Sequence, residues 1–431
     1  MTGAMVLVMF LMVCGVSILF SFSTAVFLLV VSLRYDPSFL LSYGFDAISA
    51  VVLLCVPLYV CVGNVMEKSD IGKSLVDFID VFVGRIRGGL GVVGVVTCAV
   101  FGSISGSSTA TLTCIGGIMI PRMIEKKYPR GHAAALMTHA CPLGLLIPPS
   151  ASMILYAWSA RQSILACFLA TVIPGLFLMA MLSICNIVML RNNHEVEVEH
   201  ALSGAEFARR LRTQSKTAIP ALLMPIIILG GTYSGIFTPT ESAAVAVFYA
   251  IPVGFFIYRK LTLHSLFETF VNTASTTGVV MIMIFGMMIL SRILIMMDLP
   301  ALIVEFLSGI SQNPTVILLF INLLLLFLGM IMDDTSAMLL TVPILVPIVQ
   351  AFGISPVHLG AIVGVNLGLG IITPPCAPML YLGSRVSGVP VAEMLKPTII
   401  FIIFAWIPTL AVTTYFPKLS LWLPKLVLGN I

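Results

Sequence analysis

Two stretches, PLGLLIPPS at 142–150 and LGLGIITPP at 367–375, decide how this chain folds. Each closes a long apolar run on the same element, Gly-x-x-x-Pro-Pro, from Gly144 to Pro149 and from Gly370 to Pro375. Proline removes a backbone donor and clashes with the preceding turn, so a helix does not pass unbroken through either pair. Hydrocarbon offers nothing to the backbone groups released, and a break at membrane depth has to be met by protein or solvent. Pro148, Pro149, Pro374 and Pro375 therefore predict two interrupted helices lining an internal site, with Gly144, Gly368 and Gly370 as the points where the chain unwinds.

Composition places these breaks in a bilayer. Of 431 residues, 59% are apolar and 9% charged, and the mean hydropathy is +1.12. A soluble chain carries about 25% charged residues. The net charge of +4 reflects membrane topology rather than nucleic acid, since no basic patch is interleaved with aromatics. The nine cysteines lie in apolar segments without a CxxC pair, which argues against a disulfide framework or a zinc site. The first apolar block, Ala4–Leu33, with Gly15 as a possible break, is too long for a signal h-region and reads as a span.

Outward from the two breaks, the chain falls into matching halves. The first (1–190) holds an interfacial arm near 69–87, a hairpin near 88–121 interrupted by SISGSSTAT, and a broken helix near 132–159. A polar linker, 191–216, follows. The second half (217–431) repeats the order, with an arm near 299–311, a hairpin near 316–349 containing MDDTSA, and a broken helix near 356–383. Gly102, Ala110 and Leu112 fall on Gly329, Ala337 and Leu339; Pro121, His132, Gly144, Pro148 and Met153 fall on Pro347, His358, Gly370, Pro374 and Met379. This is an internal duplication. Arg122, Lys126, Lys127 and Arg130 follow the first hairpin, whereas 349–357 has no basic residue, so the hairpins enter from opposite faces and the repeat is inverted. The fold class expected is all-α integral membrane, with about 10–12 transmembrane segments and two opposed re-entrant hairpins.

Chemistry concentrates at the hairpin tips. Oxygen ligands without thiolate or imidazole suit a hard monovalent cation such as Na⁺. One cation site is expected between Ser103, Ser105 and Gly106 and the break at Pro142 and Gly144. The other lies between Asp333 and Asp334 and the break from Gly368 through Gly370 to Thr373. Ser107, Ser108, Ser150, Thr335 and Ser336 are the candidates to meet a carboxylate, helped by helix N-termini. Small residues also let helices pack closely, and prolines also kink them. Their paired occurrence at equivalent positions, and the cost of two carboxylates in an apolar run, favour function. Glu241, in TPTESAAV, reads either as a first-turn cap partner with Thr240 as N-cap or as a transport residue. Arg292 reads either as a snorkelling side chain or as a functional one. His132 and His358 read as structural.

Other classes fit less well. A rhomboid-like protease needs Gly-x-Ser-Gly, where this chain has Ser103-Ile104-Ser105-Gly106; an intramembrane aspartyl protease needs aspartates on separate helices, and Asp333 and Asp334 are adjacent. No covalent chemistry is expected, so the protein reads as no enzyme. A channel fits opposed hairpins less well than alternating access does.

The stretches FGSISGSSTATLTCIGGIMIPRM (101–123), GLLIPPSASMILYAW (144–158), FTPTESAAVAV (237–247), LGMIMDDTSAMLLTVPILVPI (328–348) and LGIITPPCAPMLY (369–381) resemble the large membrane subunit of TRAP transporters, the DctM-like family. The resemblance spans nearly the whole chain in order. It implies a Na⁺-driven importer of small carboxylates, such as C4-dicarboxylates, sialic acid or other sugar acids, in the bacterial inner membrane. It implies a small TRAP membrane subunit and a periplasmic substrate-binding protein as separate partners, Na⁺ as coupling ion with no other cofactor, and an elevator architecture. The family's cation and substrate region maps onto Ser105, Gly106, Ser107, Pro148, Pro149, Asp333, Thr335, Thr373, Pro374 and Pro375, with Glu241 a lesser candidate. Many relatives carry an aspartate where this chain has Thr111, which leaves the first tip to neutral oxygens. A stand-alone divalent-anion symporter is the alternative within transport.

Overall fold

The computed structural model describes residues 18–83, 86–197 and 203–429, with isolated positions before Ile18. All regular structure among them is helical. Among the described residues, eight helices are long and apolar enough to cross a membrane, or nine if the bent pair Arg130–Leu146 with Ala151–Ser159 is taken as one span. The start of the first apolar block, including Gly15, lies outside the described residues; its remainder is α1 (Ile18–Leu33).

Two groups of helices result. One packs α1, α2 (Pro37–Ile48), α3 (Cys55–Lys68), α12 (Gly204–Tyr233), α13 (Pro239–Pro252) and α14 (Leu263–Met296) against each other. The arm α4 (Ile71–Val83) joins this group to the first hairpin by burying Ile71, Leu75 and Ile79 on one face. The first hairpin consists of α5 (Gly89–Ser105), α6 (Ser108–Thr111), a π turn and α7 (Gly117–Glu125). Next come the first broken helix, α8 (Arg130–Ala140), α9 (Leu143–Leu146) and α10 (Ala151–Ser159), and the long α11 (Ile164–Leu190). The second half supplies α15 (Leu299–Ile310), the second hairpin α16 (Pro314–Ile331) and α17 (Asp334–Ala351), and the second broken helix α18 (Pro356–Gly370) and α19 (Pro378–Ser387). It ends with α20 (Val391–Phe401), α21 (Ile407–Tyr415) and α22 (Pro417–Leu428).

Helix ends follow local chemistry. Asn313 caps α16 through the Thr315 amide, and Pro314 occupies its first turn, where no donor is lost. Ser163 caps α11 and Ser203 caps α12. Within the expected linker, the polar residues from Gly204 onward are helical. With 30 residues, α12 runs about 45 Å against a hydrocarbon thickness of about 30 Å, so its polar first turns can stand in water.

The expected histidine roles are met by pairing. His132 Nε2 lies 2.9 Å from Asn186 Oδ1, and His358 Nε2 lies 2.8 Å from the Thr413 carbonyl. Each ties the start of a broken helix to a later helix of its own half.

Candidate substrate and cation site

The two hairpin tips are built alike. In the first, α5 ends at Ser105 and Gly106 takes φ +61°, a left-handed turn that glycine adopts without strain. Ser107 then restarts the chain, its hydroxyl accepting from the Ala110 amide at 3.4 Å. In the second, α16 ends at Ile331 and Asp333 is extended. Its carboxylate caps α17, accepting from the Ser336 amide at 3.1 Å and from the Ser336 hydroxyl. Asp334 points elsewhere: Oδ2 accepts from Ser152 Oγ at 2.7 Å. Ser152 belongs to α10, so this bond joins the two repeats across the centre.

Glycines dock each hairpin on its broken helix. A Cβ added at Gly102 would stand 2.5 Å from Gly144 Cα, and one added at Gly370 would stand 2.6 Å from Gly329 Cα. These are repeat-equivalent pairs. The expected unwinding is thereby corrected. Gly144, Gly368 and Gly370 lie inside helices and are not among the positive-φ glycines. They lack side chains so that other groups can approach, and the chain leaves helical geometry only after Leu146 and Gly370.

Between the tips lies a cavity of 310 Å³. Ser105, Gly106, Ser107, Ser108 and Thr109 line it from the first tip, and Asp333, Asp334 and Thr335 from the second. Leu145, Ser152, Leu155, Ile371 and Met379 complete it from the broken helices, and Val56, Val60, Thr276 and Val280 from α3 and α14. Ser108 Oγ is buried with no hydrogen-bond partner among the described residues. Ser105 Oγ and Thr111 Oγ1 are 3.2 Å apart, and Thr111 Oγ1 donates to the Ser107 carbonyl at 2.8 Å. The first tip is thus a cluster of neutral hydroxyls, and the second carries the carboxylates.

The remaining candidates lie around this core. Ser103, one turn before the tip, donates to the Val100 carbonyl at 2.7 Å. Ser336 is buried beneath Asp333, and Thr373 Oγ1 donates to the Leu369 carbonyl at 2.6 Å. Ser150 Oγ is buried and unpartnered among the described residues but outside the cavity lining. Gly368 faces Trp406, with Pro142 nearby; those two residues pack the broken helices together rather than meeting a tip. A Cβ added at Gly106 would stand 3.2 Å from the Ala151 amide nitrogen and 3.9 Å from the Pro149 carbonyl oxygen, while Pro375 is exposed. Both Pro-Pro bonds, 148–149 and 374–375, are cis.

Two lesser candidates, Glu241 and Arg292, lie outside the cavity lining. Glu241 is exposed and completes a capping box with Thr238, the N-cap, so the cap is Thr238 rather than Thr240. Thr240 instead sits 3.2 Å from Cys55 Sγ. Arg292 stacks over Tyr43 at 5.3 Å and Phe39 at 5.8 Å, pairing α14 with α2 away from the cavity. Ser152 and Thr276 enter the lining unforeseen. Ser152 aligns with Pro378 in the second half, so comparison of the repeats gave it no partner.

The sequence matches the family described as Tripartite ATP-independent periplasmic transporter, DctM component, over residues 5–419. This chain belongs to that family. The DctM family works with a small membrane subunit and a periplasmic binding protein, and its members are transport proteins of the bacterial inner membrane, not enzymes. Among relatives, the sialic acid TRAP transporter large permease protein SiaM of Vibrio cholerae is 37% identical, over 88% of this chain and 87% of that protein. The C4-dicarboxylate TRAP transporter large permease protein DctM of Pseudomonas aeruginosa is 34% identical, over 88% of each chain. In structure, the YdaH transporter of Alcanivorax borkumensis superposes with a TM-score of 0.64, covering 90% of both chains at 13% identity, a likeness of fold alone.

Proposed function

We propose that this DctM-family chain moves a small carboxylate-bearing organic anion inward, driven by an inward Na⁺ gradient, with a small membrane subunit and a periplasmic binding protein as partners. The observation that carries the reading is the central cavity, where hydroxyls of one tip face the carboxylates of the other. An anion is favoured by the neutral tip, where Ser108 Oγ is unpartnered and helix N-termini begin. A cation is favoured by oxygen ligands beside Asp333 and Asp334. Sialic acid and C4-dicarboxylates, named for the relatives, are the first substrates to try. In this reading the hairpins and broken helices form the moving body of an elevator and the group of α1, α2, α3 and α12 to α14 its scaffold.

The test is uptake into proteoliposomes containing this chain and its small subunit, with the binding protein outside. Uptake requiring both a Na⁺ gradient and the binding protein, and abolished by Asp334→Asn in monodisperse protein, is the expected result. Uptake needing Na⁺ without the binding protein makes the chain a stand-alone symporter, and flux indifferent to Na⁺ overturns the coupled mechanism.

A further inference from the structure

A second cavity, of 440 Å³, adjoins the first and shares Val60, Ser105, Ser107, Thr109, Thr276 and Leu382 with it. One wall is a single face of α3: Val60, Gly63, Asn64 and Glu67, spaced i, i+3, i+4 and i+7. Gly63 lies at the level of the tip, since a Cβ there would stand 3.1 Å from Ser105 Cα. Glu67 is one turn further on, about 6 Å along the axis. The opposite wall is the descending arm of the first hairpin, Thr109, Ala110 and Thr113.

The direction of this passage follows from its neighbours. Beyond Glu67 the chain turns into α4, where Gly72 meets Cys114 and Ile118 and Asp77 pairs with Arg122 at 2.8 Å. Each step along α3 and α4 matches a step down the hairpin from its tip toward Arg122, Lys126, Lys127 and Arg130. Basic loops stay cytoplasmic, so the passage leads from the substrate cavity to the cytoplasmic side. Glu67 stands part-way, half-buried, its carboxylate without a hydrogen bond or ion pair among the described residues. Its neighbour Lys68 is turned to Glu268, at 3.5 Å. Helix energetics do not explain the position, because an acid in the last turn of a helix opposes the macrodipole.

We propose that Glu67 sets the charge selectivity of this cytoplasmic passage, favouring cations over anions within it and so drawing the released cation toward the cytoplasm. The inference rests on the reading of the hairpin tips as the substrate site, yet it is testable without substrate or Na⁺. Thr113, exposed in the passage wall, is replaced by cysteine in full-length protein carrying Cys114→Ser, the Thr113 parent serving as blank. Inside-out and right-side-out membrane vesicles are treated with impermeant cationic and anionic methanethiosulfonates of similar size. Labelling is expected from the cytoplasmic side only. Relative to a free thiol, the cationic reagent is expected to react about tenfold faster than the anionic one, and Glu67→Gln to lower that ratio about threefold or more. Labelling from the periplasmic face, no labelling in monodisperse protein, or a ratio unmoved by Glu67→Gln overturns the proposal. If uptake proves independent of Na⁺ while this ratio behaves as stated, the symport reading fails and the passage stands.

Discussion

Replacing Gly102 by alanine tests whether hairpin and broken helix are fixed by backbone contact. The new Cβ would begin 2.5 Å from Gly144 Cα and 2.9 Å from the Gly144 amide nitrogen. Ordinary carbon contact needs about 3.5 Å, so one backbone must move about 1 Å, and no flexible side chain stands between them to give way. Overpacking of this kind costs about 1–3 kcal/mol, offset by about 1 kcal/mol of helix propensity gained at an interior position. With only backbone to displace, the upper part of the range applies and the net loss is about 2 kcal/mol. Gly370→Ala meets the Gly329 Cα at 2.6 Å and its carbonyl carbon at 2.7 Å, and the same loss is expected. Gly117→Ala is the internal control: it lies in the same hairpin, has nothing within 4 Å of a new Cβ, and is expected to be neutral or stabilised by up to about 1 kcal/mol. Unfolding of the detergent-solubilised protein, with each variant beside the parent, reads the three values. Equal unfolding midpoints for Gly102→Ala and Gly117→Ala would refute the docking argument, since propensity alone does not distinguish those positions.

Further outcomes separate the two aspartates and the peripheral acid. Asp333→Asn retains a good N-cap and is expected to change stability by less than about 0.5 kcal/mol, whereas Asp333→Ala costs about 1 kcal/mol; unfolding midpoints decide. Asp334→Asn is expected to lower Na⁺-driven uptake about tenfold or more in monodisperse protein, because the negative charge at the cavity wall is lost while an oxygen acceptor for Ser152 remains; uptake close to the parent's would remove Asp334 from the cation site. Ser152→Ala leaves that carboxylate oxygen without its donor, at a cost of about 1–3 kcal/mol in unfolding. Glu241→Gln preserves the capping box and is expected to leave uptake kinetics at the parent's values; a large loss of rate would return Glu241 to the transport path.

Much of the fold is legible because membrane breaks are written in unusual residues. Pro-Pro pairs, Ser-Gly clusters and adjacent aspartates stand out in apolar runs, and duplication presents each break twice. What escapes depends on what lies opposite. A glycine that lets a helix unwind and one that lets another backbone approach are the same letter, and only the Gly102–Gly144 and Gly329–Gly370 contacts distinguish them. Likewise Thr240 and Thr238 are both good caps by type, and Pro239 decides between them by filling the first helical position. Ser152 carries no pattern of its own, and its role exists only through Asp334 in the other repeat. The helical start of α12 was masked by its charge, since polarity marks exposure to water rather than loss of helix.

The same duplication explains why one cavity offers two chemistries. Both tips end one helix and restart another through an extended capping residue, Ser107 in the first and Asp333 in the second. Capping needs only an oxygen acceptor, so serine and aspartate serve the backbone about equally well. They differ in charge, and the structural requirement leaves that choice free. In the first tip the cap and the Thr111 hydroxyl are neutral, and a carboxylate can approach the helix start without meeting a fixed negative charge. In the second, Asp333 and Asp334 bring adjacent negative charges into a largely apolar wall, where an unpaired charge is costly. A cation entering there lowers that cost and at the same time adds positive potential to the cavity that receives the anion. Under the proposed symport, each ligand therefore strengthens binding of the other through the shared cavity, and by linkage the effect is reciprocal. Raising Na⁺ is then expected to tighten substrate binding and raising substrate to tighten Na⁺ binding, by the same factor in titrations of the wild-type protein. Asp334→Asn is expected to shrink that shared factor toward one, and a factor unmoved by the substitution would show that the two ligands are not coupled through this carboxylate.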